Sequence, residues 1–252
     1  VIAEHRLAGL SGIADRFLYL DCGRILWEKS PVEMAHMSEG ERETYGLREV
    51  TQSPFPDLPQ PESGDVFIRT EGLSCKRKGN LIFHHLSLSV CAGQVTAVTG
   101  RNGAGKTSLA MALSGLWKER GGSVLIGGEK LRAAGRRRRA WYSANDTGTQ
   151  FFTNSVTEEL LLGDHHSQTR LEQAGGLLKR LGLYAYKDAH PATLSGGQKQ
   201  RLSLACGILS GRDVLIFDEP TSGLDGGNMR IIADMLRNEA DKGKTILVIT
   251  HD

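Results

Sequence analysis

The chain has 252 residues, 39 % of them hydrophobic and 24 % charged, with a formal charge of +2. This is ordinary globular material for one or two domains, and so balanced a charge excludes a strong pull toward nucleic acid or anionic lipid. The cysteines Cys22, Cys75, Cys91 and Cys206 are widely spread, with no CxxC pair and no nearby His cluster, which argues against zinc or a disulfide framework and fits a reducing compartment.

Residues 1–45 read as a compact tail. Arg16–Leu20 and Arg24–Trp27 flank Asp21-Cys22-Gly23, which predicts a hairpin. Ser30-Pro31-Val32-Glu33 offers an N-cap, a proline at the first helical position and an N3 glutamate, so a short helix is expected from Pro31. Residues 46–64 carry Pro54, Pro56, Pro59 and Pro61 and predict an extended, semi-rigid linker. A new domain is expected from Asp65, where Val66–Thr70 and Leu86–Val90 alternate apolar and polar residues as half-buried strands do. Gly121-Gly122 reads as a turn into a strand at Ser123–Ile126. Arg136–Arg139 reads as a solvated approach to a strand at Trp141-Tyr142. Leu171, Ala174, Leu177, Leu178 and Leu181 share one helical face. Val214–Phe217 and Thr245–Ile249 are continuous apolar runs, as in a parallel sheet covered on both faces, and alternate with helical stretches, so the fold class is α/β.

The chemistry begins at Val95–Thr107, a β-branched strand, a glycine-rich turn and a helix start. Gly100-x-x-x-x-Gly105-Lys106-Thr107 has the P-loop spacing. Glycines there let the backbone wrap a phosphate, with N–H groups and a helix N-terminus facing the anion. Lys106 is then expected on the β/γ-phosphates of a nucleoside triphosphate and Thr107 on Mg²⁺. The apolar run Val214–Phe217 ends in Asp218-Glu219, where ligands gather at the carboxyl ends of strands. Asp218 is expected to hold Mg²⁺ through water and Glu219 to orient or deprotonate the attacking water. Ser195 with Gln198 forms a capping-box pattern, and the glycines between them weaken a helix unless its backbone must touch something. Leu194-Ser195-Gly196-Gly197-Gln198 is therefore a second expected phosphate-binding surface.

Together Gly100–Thr107, Leu194–Gln198, Val214–Glu219, Ser222-Gly223-Leu224-Asp225 and His251 resemble the Walker A, signature, Walker B, D-loop and H-loop motifs of the ABC ATPase family, in order over residues 65–252. The resemblance implies a P-loop NTPase with a mixed sheet core, an antiparallel β subdomain and an α-helical subdomain. It implies ATP on Gly100, Arg101, Asn102, Gly103, Ala104, Gly105, Lys106, Thr107 and Ser108, with catalysis by Lys106, Glu219 and His251. In that family two nucleotide-binding domains sandwich ATP head to tail, so Ser195, Gly196 and Gly197 would contact a nucleotide held by a partner's P-loop. The partner is a second such domain, in the same chain or in a homodimer.

Val1–Arg6 also lines up with Leu247–Asp252 as an apolar strand followed by His and a charged residue, the mark of a tandem repeat. Glu4-His5-Arg6-Leu7, Ala14-Asp15-Arg16 and Asp21–Ile25 look like the segment that follows an H-loop. Glu4-His5-Arg6-Leu7, the short Pro-rich linker and Phe152–Glu159 most resemble tandem ATPases of energy-coupling-factor importers for vitamins and metal ions. Residues 1–45 are then the tail of a preceding ABC ATPase domain, 46–64 a linker, and 65–252 a nucleotide-binding domain cut at its H-loop. Residues 1–45 could also fill, from the other end, the place of whatever follows Asp252.

Two positions depart from the family pattern. The Q-loop glutamine is replaced by Asn145, shorter by one bond of about 1.5 Å, with Gln150 nearby. The aromatic residue that stacks on adenine is replaced by Arg77, either stacked on the base or solvated. The implied function is an ATP-hydrolysing subunit, at the cytoplasmic face of the membrane, that powers an importer through permease subunits. A soluble tandem ATPase acting on ribosomes or DNA, or a regulatory module with weak hydrolysis, are the alternatives. No nucleic-acid partner is expected. No apolar run nears the ~18 residues of a membrane span, and no signal peptide opens the chain.

Overall fold

In the computed structural model, residues 7, 8, 10, 12–49, 64–162 and 167–250 are described, and they group into two compact units. One unit joins the described N-terminal residues to Gly223–Ile231, and the other holds the remainder. The repeat at Val1–Arg6 and the predicted His251 lie outside the described residues.

The N-terminal unit starts with the predicted hairpin, β1 (Phe17–Asp21) antiparallel to β2 (Arg24–Lys29). Its turn places Cys22 and Gly23 at φ of +46° and +77°, the mirror-image turn that matches strand twist. Helices α1 (Pro31–Ala35) and α2 (Glu39–Thr44) follow, each opened by a complete capping box, Ser30/Glu33 and Ser38/Glu41. The Ser30 cap is the one the sequence predicts. Leu7, Phe17, Met34 and Met37 form a small core, with Trp27, Tyr45 and Leu47 packed on it. Tyr19 stacks on Trp27 with centroids 5.2 Å apart.

The second unit is built on two sheets. The antiparallel sheet has the order β4-β3-β6-β7, from β3 (Val66–Arg77), β4 (Asn80–Cys91), β6 (Gly121–Ile126) and β7 (Glu129–Lys130). The parallel sheet has the order β5-β10-β9-β8, from β5 (Val95–Val98), β8 (Ala140–Ser143), β9 (Val214–Asp218) and β10 (Thr245–Ile249). Helices α3 (Lys106–Leu113), α4 (Ala133–Arg139), α5 (Val156–Leu160), α6 (Gln168–Arg180), α7 (Gly196–Leu209) and α8 (Gly226–Asp241) connect them, the first turns of α8 grouping with the N-terminal unit. The core runs from Ile68, Val90 and Ile126 through Leu109 and Leu113 of α3 to Ile216, Leu247 and Ile249. Every residue of β9 is buried, as the continuous apolar run predicts.

Four expectations are corrected. β3 and β4 extend well past the two short alternating segments, because Thr70/Leu73 and neighbouring register shifts let the pair continue as a bent ribbon. Gly121-Gly122 belongs to β6: Gly122, at φ +79°, lies against Gly72, and a Cβ there would stand 2.4 Å from the Gly72 oxygen. Arg136–Arg139 is a solvated run only at Arg137 and Arg138, which are exposed. It is the last turn of α4, with the Arg136 side chain fully buried, 2.5 Å from Glu119 and donating to the Leu131 oxygen. A buried guanidinium is tolerable only when so paired. Leu171, placed on the apolar face of α6, is 39 % exposed, while Ala174, Leu177 and Leu178 are buried. The face is narrower than the pattern implied.

Candidate functional site

The P-loop has the conformation its glycines permit. Gly100, Gly103 and Gly105 adopt φ of +147°, +80° and +97°, where a side chain would be strained. Gly105 caps α3, and a Cβ on it would stand 3.1 Å from Ile82 Cγ2. Lys106 Nζ donates to the Gly100 oxygen at 2.6 Å and to the Arg101 oxygen at 3.2 Å. The ammonium is thus held inside the loop, at the mouth of a helix whose amides carry partial positive charge.

The parallel sheet brings the acidic pair to the same mouth. β9 ends at Asp218, and Thr107 donates its hydroxyl to Asp218 Oδ2 at 2.7 Å. The same oxygen accepts the Tyr142 hydroxyl at 3.2 Å. Tyr142 lies on β8 opposite Ile216, two residues before Asp218 on the adjoining strand. Burial, and then the Asp218 charge beside it, pushes the Tyr142 phenol well above its ordinary value, so the hydroxyl keeps its proton and donates. Glu219 follows, 6 % exposed and at φ +55°. Such a backbone costs about 1–3 kcal/mol in a residue other than glycine and persists where the surroundings fix it. Here the Glu219 N–H is bonded to the Ile249 oxygen of β10 at 2.9 Å.

Asp218 and Glu219 line one cavity of about 360 Å³ with Ile82, Asn102, Gly103, Ala104, Gly105, Lys106, Thr107, Ser108, Asn145 and Ile249. A larger groove of about 420 Å³ opens among α6, α7 and the end of α8, but it lacks a hydroxyl–carboxylate pair, and the chemistry belongs to the smaller one. Thr107 and Asp218 offer hard oxygens converging beside an ammonium, the donor set suited to Mg²⁺ carried on a triphosphate.

Asn145 also lines the cavity. Its backbone oxygen accepts from Gln200 Nε2 at 3.2 Å. Gln150 does not replace it: its Oε1 accepts from Ser203 at 3.2 Å, and Ser203 is bonded to Ser143 at 2.7 Å. Arg77 is exposed. Its guanidinium lies 4.1 Å from the Trp117 ring centroid, stacked on a side chain of its own unit. Ser195 caps α7 with a complete capping box, Gln198 N–H to its Oγ at 3.3 Å and its own N–H to Gln198 Oε1 at 2.8 Å. Ser195 and Gly196 are exposed, and neither lines the P-loop cavity. Asp225 caps α8, its Oδ1 accepting the Asn228 N–H at 2.7 Å.

Cys75 and Cys206 are buried, and burial raises both thiols, which leaves them unreactive. No cluster of His, Cys, Asp or Glu suited to a metal ion exists among the described residues. Tyr142 is the site residue that the sequence does not announce. Only strand register, which sequence leaves open here, sets it beside Asp218.

We expect Tyr142→Phe to raise the Mg²⁺ concentration for half-maximal nucleotide turnover about tenfold or more, the scale for one hydrogen bond to a charged group, while turnover at saturating Mg²⁺ stays nearly constant. Mn²⁺ binding followed by electron paramagnetic resonance reads the same change without turnover. An unaltered metal dependence would reduce Tyr142 to packing.

A strand, a glycine-rich loop closed on its lysine, and a carboxylate bonded to the loop's threonine define a P-loop nucleotide-binding domain. The sequence profile described as ABC transporter matches residues 83–222, more than half of the chain. An ABC transporter ATP-binding protein of Treponema denticola is 37 % identical over 261 residues, covering 100 % of this chain and 53 % of its own length. YkoD of Bacillus subtilis, named for HMP/thiamine import, is 34 % identical over 193 residues, or 75 % of this chain and 35 % of YkoD. Among solved structures, CbiO1 of Clostridium perfringens, described as part of the ABC transporter complex CbiONQ, superposes with a TM-score of 0.65 at 28 % identity. It covers 75 % of this chain and 79 % of that one. The chain belongs to the ABC transporter ATP-binding family. It spans about half the length of the relatives of Treponema denticola that it matches.

Proposed function

We propose that this chain is the ATP-hydrolysing part of a membrane importer of the energy-coupling-factor type. The observation that carries the reading is the convergence of Lys106, Thr107, Asp218 and Glu219 on one cavity. Bound there, MgATP supplies the phosphoryl group and the charge that the divalent ion neutralises. Lys106 would hold the β/γ-phosphates, Thr107 and Asp218 the ion, and Glu219 the proton of the attacking water. His251 is proposed to contact the γ-phosphate in the same site, and Leu194–Gln198 to close on ATP held by a second nucleotide-binding domain.

The proposed organisation is residues 1–45 as the tail of a preceding ABC ATPase domain, 46–64 as a linker and 65–252 as the nucleotide-binding domain. The names of YkoD and CbiO1 favour an importer with permease partners. Among the described residues no helix is long and apolar enough to cross a membrane, so the proposed place at the cytoplasmic face depends on those partners. Phe152, 80 % exposed at the edge of the helical region, is the apolar contact we assign to a permease. Its loop is held by the buried Glu159, which accepts the Phe152 and Thr153 N–H groups at 2.9 and 3.0 Å.

The test is phosphate release by the full-length protein with and without its neighbouring membrane subunits. ATP-dependent release that Lys106→Ala abolishes, and that membrane subunits stimulate, is the expected result. ATP turnover unmoved by Lys106→Ala would sink the ATPase reading. Turnover that ignores the membrane subunits would sink the importer. Asn145 specifically favours a second reading, a regulatory domain with weak hydrolysis, in which ATP binds but Asn145→Gln is needed for brisk turnover.

A further inference from the structure

The first residues of the proposed linker, Gly46–Arg48, are not extended chain but are held against the start of α8. Helix α2 ends at Thr44 with Tyr45 as its C-cap, and Gly46 at φ +60° turns the chain. Gly46 N–H returns to the Glu43 oxygen at 3.0 Å and Leu47 N–H to the Arg42 oxygen at 2.8 Å. That is a glycine-stopped helix end, and it leaves the Gly46 oxygen facing away from α2. The oxygen accepts the Gly226 N–H at 2.7 Å. Arg48, 7 % exposed, donates its Nε to the Leu224 oxygen at 2.9 Å. The approach is close enough to require a glycine: a Cβ on Gly226 would stand 2.4 Å from the Leu47 oxygen. Leu47 packs against the small core of Leu7, Phe17, Met34 and Met37, and Glu43 lies 3.7 Å from Arg230. One face of the turn is thus anchored in that core, and the other reads two backbone groups of 224–226.

We propose that Gly46–Arg48 is an intramolecular clamp that fixes the backbone of the D-loop, Ser222–Asp225, with Arg48 as the positioning residue. Asp225 anchors the end of this loop on Asn228 and Leu224 is buried, and the two backbone hydrogen bonds plus the steric stop narrow its conformations further. The D-loop begins three residues after Glu219, whose oxygen accepts the Ser222 N–H at 3.1 Å. The chain therefore links the clamped segment directly to the proposed catalytic carboxylate. The clamp stands on the contacts alone. Its effect on turnover rests on the proposed function.

The test is hydrogen exchange at the residue 226 amide in the full-length protein, paired with steady-state kinetics. In Arg48→Ala that amide should exchange about tenfold faster or more, as expected for one lost charged hydrogen bond, while the amides of Leu215 and Leu247 stay protected. Gly226→Ala favours the helix by propensity yet should expel the turn, and it serves where Arg48→Ala does not fold. Arg48→Lys should recover part of the protection. Unchanged exchange at 226 in both Arg48→Ala and Gly226→Ala overturns the clamp. If exchange rises and kcat falls several-fold with KM for ATP nearly constant, the clamp positions the D-loop. If exchange rises with kcat unaltered, the coupling to Glu219 is overturned while the ATPase reading stands.

Discussion

Glu219→Gln in the full-length protein is expected to bind ATP as the parent does and to lower phosphate release about 10²–10⁴-fold, the usual contribution of a positioned general base. The amide keeps the size and one acceptor of the carboxylate and loses its basicity. Glu219 is buried at the end of β9 with its backbone at φ +55° and its N–H fixed on Ile249. The substitution leaves that backbone alone, so binding on the P-loop should not change. Nucleotide binding by fluorescence and single-turnover phosphate release separate the two quantities. Release within a few-fold of the parent would remove Glu219 as the base and shift attention to His251. Loss of binding and release together would instead indicate a structural role.

Ser195→Arg should be nearly as severe and for a different reason. Ser195 caps α7 and presents an exposed hydroxyl and two glycine-flanked amides, yet it does not line the cavity built by Lys106 and Asp218. If it serves ATP bound elsewhere, a bulky cation there should leave this chain's own P-loop affinity intact. Turnover should fall about 10²-fold or more, the scale for losing a preorganised donor to transition-state charge. Part of any change is loss of the cap, worth about 1 kcal/mol of helix stability. Ser195→Ala measures that part. Mixing Ser195→Arg with Lys106→Ala protein reads the arrangement directly. Recovery of about one quarter to one half of parental turnover in two-chain assemblies marks sites shared between domains. Equal loss of ATP affinity in Ser195→Arg would contradict the shared site.

The parts of this protein fixed by short-range chemistry are legible before folding. The Ser30/Glu33 and Ser195/Gln198 capping boxes form as read, because both partners lie within one helical turn. The predicted hairpin turns at Cys22-Gly23, and the three P-loop glycines have the positive-φ backbone that glycine permits. β9 and β10 are buried parallel neighbours, in register from Thr245/Val214 to Ile249/Asp218, as two uninterrupted apolar runs suggest. The readings fail where a distant partner decides. Four consecutive arginines look like a solvated face until Glu119 and the Leu131 oxygen provide a buried seat for Arg136.

The class of chemistry is readable residue by residue, since the P-loop spacing, the Asp218-Glu219 strand end and the Ser195 helix start are local patterns whose geometry follows from a few φ angles. Tertiary structure alone decided which oxygens meet. Parallel pairing of β8 with β9 sets Tyr142 beside Asp218, and α3 brings Thr107 to the same carboxylate across 111 positions of chain. The packed turn at Gly46–Arg48 likewise reaches Leu224 across 176 positions. Hydrogen bonds act over about 3 Å, and only the folded chain brings residues so far apart in sequence within that reach.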